Sequence, residues 1–114
     1  MSRVLVADDN HQFADMLRAS LEDAGYDVVT AYSGLAAVAA VEASDIALAV
    51  LDVLMPGMSG DAVADRLRQI VPGLPMILMT GADGAFAAAS GLIVLRKPFP
   101  QEELIATVGR LLGR

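Results

Sequence analysis

The chain contains no cysteine and no tryptophan, a single histidine, His11, and only 4% aromatic residues among its 114 positions. Without cysteine there is no disulfide, no thiolate nucleophile and no Cys-ligated metal, and one imidazole cannot build a multi-His zinc site. Basic residues are also in the minority: eight Lys plus Arg stand against fourteen Asp plus Glu, for a formal net charge of −6. That sign disfavours a nucleic-acid backbone or an anionic membrane face as a direct partner. Long apolar runs are missing as well. Mean hydropathy is high at +0.55, yet Asp, Pro and Gly interrupt every stretch before it reaches the roughly 18 residues of a membrane span. The first residues run directly into an apolar stretch without the layout of a signal peptide, so the cytoplasm is the expected compartment. No linker-like segment and no internal repeat divides the chain, which is expected to form one domain over residues 1–114.

What is present is an alternation. Arg3 to Ala7, Asp27 to Ala31, Ile46 to Leu51, Pro75 to Met79 and Leu92 to Leu95 are short runs rich in Val, Ile and Leu, bounded by Asp, Gly and Pro. They read as strands, several apolar at nearly every position, as in a parallel sheet covered on both faces. Between them the period becomes helical. Phe13, Met16, Leu17, Leu21 and Ala24 form one stripe, with Asp9 or Asn10 as N-cap and Gly25 as the stop. Gly34 to Glu42 is Ala-rich with Leu35, Val38 and Val41 on one side; Gly60 to Val71 carries Val63, Leu67, Ile70 and Val71 and ends at Pro72. Gln101 to Leu112 buries Leu104, Val108, Leu111 and Leu112, and opens with Glu102 and Glu103 at the positive end of the helix dipole. The weakest helical segment is Gly84 to Ser90, Ala-rich, flanked by glycines and at most about two turns long. This order predicts an α/β fold: an open, doubly wound parallel sheet with right-handed crossovers.

In such sheets ligands bind at the carboxyl ends of the strands. Asp8 and Asp9 follow the first run, Asp52 the third, Thr80 the fourth, and Lys97 with Pro98 the fifth, so all of them line one rim. Three carboxylates brought together repel, and a shared divalent cation is the usual remedy. Mg²⁺ fits best, because it takes oxygen ligands, needs only one or two carboxylates, and keeps waters that a phosphoryl group can replace. Asp52, a lone carboxylate ending an apolar strand, is the candidate nucleophile toward phosphorus, with Asp8 and Asp9 holding the metal. Lys97 supplies a point charge to balance phosphoryl oxygens, and Thr80 a hydroxyl donor. A cis Lys97–Pro98 bond would aim the lysine back over the rim.

Asp8-Asp9, the run Asp52-Val53-Leu54-Met55-Pro56-Gly57-Met58-Ser59-Gly60, the pair Thr80-Gly81, and Lys97-Pro98-Phe99 together resemble the receiver domain of bacterial two-component response regulators, over the whole chain. Each piece is weak alone; their order and their strand-end placement carry the likeness. The resemblance implies a flavodoxin-like (βα)5 three-layer sandwich with parallel sheet order 2-1-3-4-5, here with a short or irregular fourth helix. It implies a phosphorelay switch that takes a phosphoryl group from a sensor histidine kinase or histidine phosphotransfer protein onto Asp52, with Thr80 and Lys97 assisting and no separate substrate turned over. Mg²⁺ would be held by Asp9, Asp52 and the backbone carbonyl of Leu54, with Asp8 acting mainly through the metal's water. Monomers or weak phosphorylation-dependent dimers are expected, and the receiver of a hybrid histidine kinase is one setting such a module occupies.

Three features depart from the family pattern. Val94 stands where most receivers carry Tyr or Phe, so the usual ring exchange that reports phosphorylation is not available. The segment from Thr80 to Lys97 is short, which matches the poor helix signal of Gly84 to Ser90 and predicts a segment that orders on phosphorylation. Leu54 and Ala82 are apolar where they flank the path of a hydrolytic water, which predicts slow self-dephosphorylation, while the small Gly81 leaves a donor room to reach Asp52. Two rival readings differ in class. A receiver-like domain could dock partners independently of phosphorylation, although the intact acidic rim speaks against that. A flavin binder of the same topology would need a Ser/Thr- and Gly-rich phosphate loop where Asp8-Asp9-Asn10 stands. His11 reads as an exposed first-turn residue and Arg96 as surface.

Overall fold

The computed structural model describes residues 2–81 and 92–113. Within them strands and helices alternate as β1 (Arg3–Ala7), α1 (His11–Asp23), β2 (Asp27–Ala31), α2 (Gly34–Ala43), β3 (Leu48–Asp52), α3 (Gly60–Ile70), β4 (Met76–Thr80), β5 (Ile93–Arg96) and α4 (Gln101–Leu111). The strands form one sheet in the order β2-β1-β3-β4-β5, every neighbouring pair parallel. This is the expected flavodoxin-like sandwich. The short helix expected over Gly84 to Ser90 lies outside the described residues.

The sheet is covered on both sides, which is why its central strands are apolar at consecutive positions. Every residue of β3 and β4 is buried. Alternate residues feed two separate cores. Leu5, Ala7, Ala49, Leu51 and Leu78 pack with Val38, Val41, Val63 and Leu67 of α2 and α3. Val4, Val6, Leu48, Val50, Ile77 and Met79 pack with Leu17, Leu21, Leu104 and Val108 of α1 and α4.

Boundaries shift where the ladder extends further than composition suggests. Asp52 and Thr80 are the last residues of β3 and β4 rather than the residues after them. Asp52 pairs with Met79, and Val53 N–H still donates to the Met79 carbonyl at 2.9 Å. The start of β3 moves from Ile46 to Leu48, although Ile46 itself is buried. Helix faces differ in detail. Asn10, not Asp9, caps α1, its side chain accepting from Phe13 N–H at 3.1 Å. In α1 the buried positions are Ala14, Leu17 and Leu21, while Met16 is 41% exposed and Ala24 is the exposed C-cap. In α2 Leu35 is exposed, and Ala37 takes the core position beside Val38 and Val41. Ile70 and Val71 at the end of α3, like Leu111 and Leu112 at the end of α4, are only half-buried because the chain leaves the core there.

Candidate functional site

Strand alternation decides which way the acids face. Val4 and Val6 in β1, and Leu48 and Val50 in β3, bury toward α1 and α4. The next steps of the same two-residue period are Asp8 and Asp52, which therefore emerge on that side at the carboxyl ends of adjacent strands. Asp8 is fully buried and Asp52 nearly so, while Asp9 is exposed. Their carboxylate oxygens lie within 4.8 Å of one another. An all-oxygen, all-anionic donor set of this kind suits a hard divalent cation, and one such as Mg²⁺ would relieve its repulsion.

Lys97 reaches into the cluster from the end of β5. Its Nζ donates to Asp8 Oδ2 at 2.8 Å and lies 3.5 Å from Asp52 Oδ1. Its backbone N–H donates to the Thr80 carbonyl at 2.7 Å, so the register of β5 against β4 sets where the side chain starts. The Lys97–Pro98 bond is cis, the isomer that the sequence left as one possibility. The other oxygen of Asp8 accepts from Asn10 N–H at 2.9 Å, so both oxygens of this buried carboxylate are satisfied.

Burial pushes the Asp52 carboxyl up to about 6 from an ordinary 3.8, and the Asp8 carboxylate adds to the rise. Lys97 and a hydrogen bond from the Leu54 backbone pull it partly back. Desolvation and like-charge repulsion thus outweigh one lysine, and a second positive charge would restore the ionised form.

The loop after β3 shapes the mouth. Gly57 has φ +81, a conformation L side chains rarely adopt. A Cβ on Gly60 would stand 2.4 Å from the Asp52 carbonyl oxygen and 2.7 Å from Val53 Cα. Glycine there lets Gly60 N–H reach the Val53 carbonyl at 2.8 Å and close the loop. Leu54 is exposed and, with Asp8, Asp9, Asp52, Gly81 and Lys97, lines an open cleft of about 530 Å³.

The structure brings together Asp8, Asp9, Asp52, Leu54 and Lys97. Thr80 is buried at the end of β4, on the same rim, though the alternation of β4 assigns it to the face of α2 and α3. Val94 is half-buried against the core on that face. Ala82 lies outside the described residues. His11 is exposed, as expected, and stacks on Tyr32 with ring centroids 3.8 Å apart. Sequence reasoning placed Phe13 in the core stripe of α1 and missed that its ring lies 4.4 Å from Lys97 Nζ. The available signal was its place in the first helical turn, four residues after Asp9.

Residues 4–109 match the response regulator receiver domain family. The transcriptional regulatory protein TctD of Salmonella typhimurium is 40% identical over 98% of this chain and 52% of its own length. The alkaline phosphatase synthesis transcriptional regulatory protein PhoP of Bacillus subtilis is 35% identical over 98% of this chain and 49% of its own. The chain thus spans about half the length of these curated relatives. Among solved structures, the chemotaxis protein CheY4 of Vibrio cholerae superposes with a TM-score of 0.90 at 30% identity, covering 97% of this chain and 98% of that one. A response regulator receiver protein from Sinorhizobium medicae gives 0.91 at 30% identity, covering 98% and 94%. With residues 4–109 matched, the chain belongs to the response regulator receiver domain family, the phospho-accepting switches of two-component systems.

Proposed function

We propose that residues 1–114 form one receiver module in which Asp52 is the phospho-acceptor. The observation that carries this reading is the pairing of a nearly buried Asp52 with Lys97 Nζ 3.5 Å away, inside a cluster completed by Asp8 and Asp9. In the reaction an Asp52 carboxylate oxygen bonds to phosphorus as the phosphorus–nitrogen bond of a donor phosphohistidine breaks, and the freed imidazole takes up a proton. Lys97 turns from Asp8 toward the transferred oxygens, which its charge balances. Thr80 donates its hydroxyl to them from the other side of β4. The open cleft and the small Gly81 leave a donor room to approach in line.

Asp9, Asp52 and the Leu54 carbonyl would hold Mg²⁺, with Asp8 positioned one water away; the donor set fits, being oxygen-only and in need of positive charge. When bound, Mg²⁺ neutralises charge on the acids and on the phosphoryl oxygens. The donor is a sensor histidine kinase or a histidine phosphotransfer protein in the cytoplasm, and the domain turns over no separate substrate. Among the described residues no helix is long and apolar enough to cross a membrane.

Trifluoroberyllate, which mimics the acyl phosphate, tests the reading. With Mg²⁺ it is expected to raise the thermal midpoint of the wild type and shift amide resonances of Leu54, Thr80 and Lys97, and to do neither in Asp52→Asn. A wild type that ignores the compound would favour a docking domain independent of phosphorylation.

A further inference from the structure

Lysine is a flexible carrier of charge, with rotamer entropy to lose when its ammonium is fixed. In this fold the ammonium meets an aromatic face as well as two carboxylates. The Phe13 ring lies 4.4 Å from Lys97 Nζ, close enough for the ring quadrupole to attract the charge. Phe13 is anchored through its backbone on one side and its ring on the other. Phe13 N–H donates to Asn10 Oδ1, and Asn10 N–H donates to Asp8 Oδ1. Asp8 Oδ2 accepts from Lys97. Backbone, cap, acid, ammonium and ring therefore form a closed circuit. On the other side Phe99, two residues after Lys97, packs edge-on against Phe13 with centroids 6.0 Å apart and planes at 79°. Half-buried Phe13 and Phe99 both pack on the core beneath α1 and α4.

We propose that Phe13 is a positioning residue for Lys97, its ring holding the ammonium over the cleft while the lysine exchanges Asp8 for the phosphoryl oxygens. A carboxylate alone would hold the lysine by a directional bond that must break for the exchange. A π-face attracts the charge over a broad range of angles, so the ammonium can pivot without being released to water. This rests on the reading of Asp52 as the phospho-acceptor.

The experiment measures Mg²⁺-dependent trifluoroberyllate affinity for wild type, Phe13→Leu and Phe13→Tyr, well below each thermal midpoint, together with the Lys97 side-chain resonances. Phe13→Leu keeps an apolar group in the core but removes the π-face, and binding is expected to weaken roughly threefold to thirtyfold, the span of exposed to desolvated cation–π contacts. Phe13→Tyr restores the wild-type affinity. In the wild type the Lys97 ε-methylene protons are shifted upfield by the ring; the shift survives in Phe13→Tyr and vanishes in Phe13→Leu. Equal affinity in wild type and Phe13→Leu, equal loss in Phe13→Leu and Phe13→Tyr, or no upfield shift in the wild type would each overturn the role of Phe13. The shift is read on wild-type protein, so it decides the matter even if the leucine variant does not fold. A wild type that binds no trifluoroberyllate sinks the phospho-acceptor reading and this one with it, whereas a binding wild type with an indifferent Phe13→Leu sinks only this one.

Discussion

At Asp52 two influences oppose ionisation, burial and the Asp8 carboxylate, and they outweigh the pull of Lys97 and the Leu54 backbone. The folded protein therefore holds a proton on Asp52 up to about pH 6, whereas the unfolded chain releases it near 3.8. Because the folded state binds more protons across that window, stability falls as pH rises from about 4 to about 6 and levels off above it. The full cost at neutral pH without a cation is about 3 kcal/mol. Asp52→Asn is expected to remove that fall, so its stability advantage over the wild type grows from near zero at pH 4 to that order at pH 7. Urea unfolding in EDTA at stepped pH measures the difference, and a constant difference across the range would contradict the assignment. Gly60 offers a steric counterpart. With a Cβ 2.4 Å from the Asp52 carbonyl oxygen, Gly60→Ala must push β3 and the loop apart, at an expected cost of about 2–4 kcal/mol. Denaturant midpoints check it, and an unchanged midpoint would mean that the loop can relax freely.

Among the elements, α1 links the fold to the site, because the Asn10 side chain caps it while the Asn10 N–H holds Asp8. Asn10→Ala removes only the cap and is expected to cost about 1 kcal/mol in thermal or urea unfolding. The backbone bond to Asp8 survives, so trifluoroberyllate binding should persist; its loss would show that the cap also places Asp8. The elements also show how far the sequence could be read. All five strands were legible because parallel strands buried on both faces are continuous Val, Ile and Leu runs, and the rim acids were legible because such runs end abruptly in Asp. Strand ends were read short by one residue at Asp52 and Thr80, since a polar residue can still belong to the ladder. The face of α2 was misread at Leu35 because a helix of Ala, Val and Leu has no polar side to orient it. Phe13 does pack on the core as its place in the stripe implies; its second contact, with Lys97, is not legible because helical spacing marks a residue that faces inward without naming its neighbours.

For the molecule as a whole, two cores lie on opposite faces of a five-stranded sheet, and the acidic cluster with Lys97 lies at the carboxyl ends of the strands. The acidic cluster is a place where burial and like charge cost the fold stability, a cost that the proposed phospho-acceptor role would account for. Asp52 nucleophilicity is the central claim, and intact mass spectrometry after incubation with acetyl phosphate tests it most directly. With Mg²⁺ the wild type is expected to gain a single phosphoryl adduct, while Asp52→Asn and the wild type in EDTA gain none. An adduct that persists in Asp52→Asn would place the acceptor elsewhere, and no adduct in the wild type with Mg²⁺ would contradict the phospho-acceptor account.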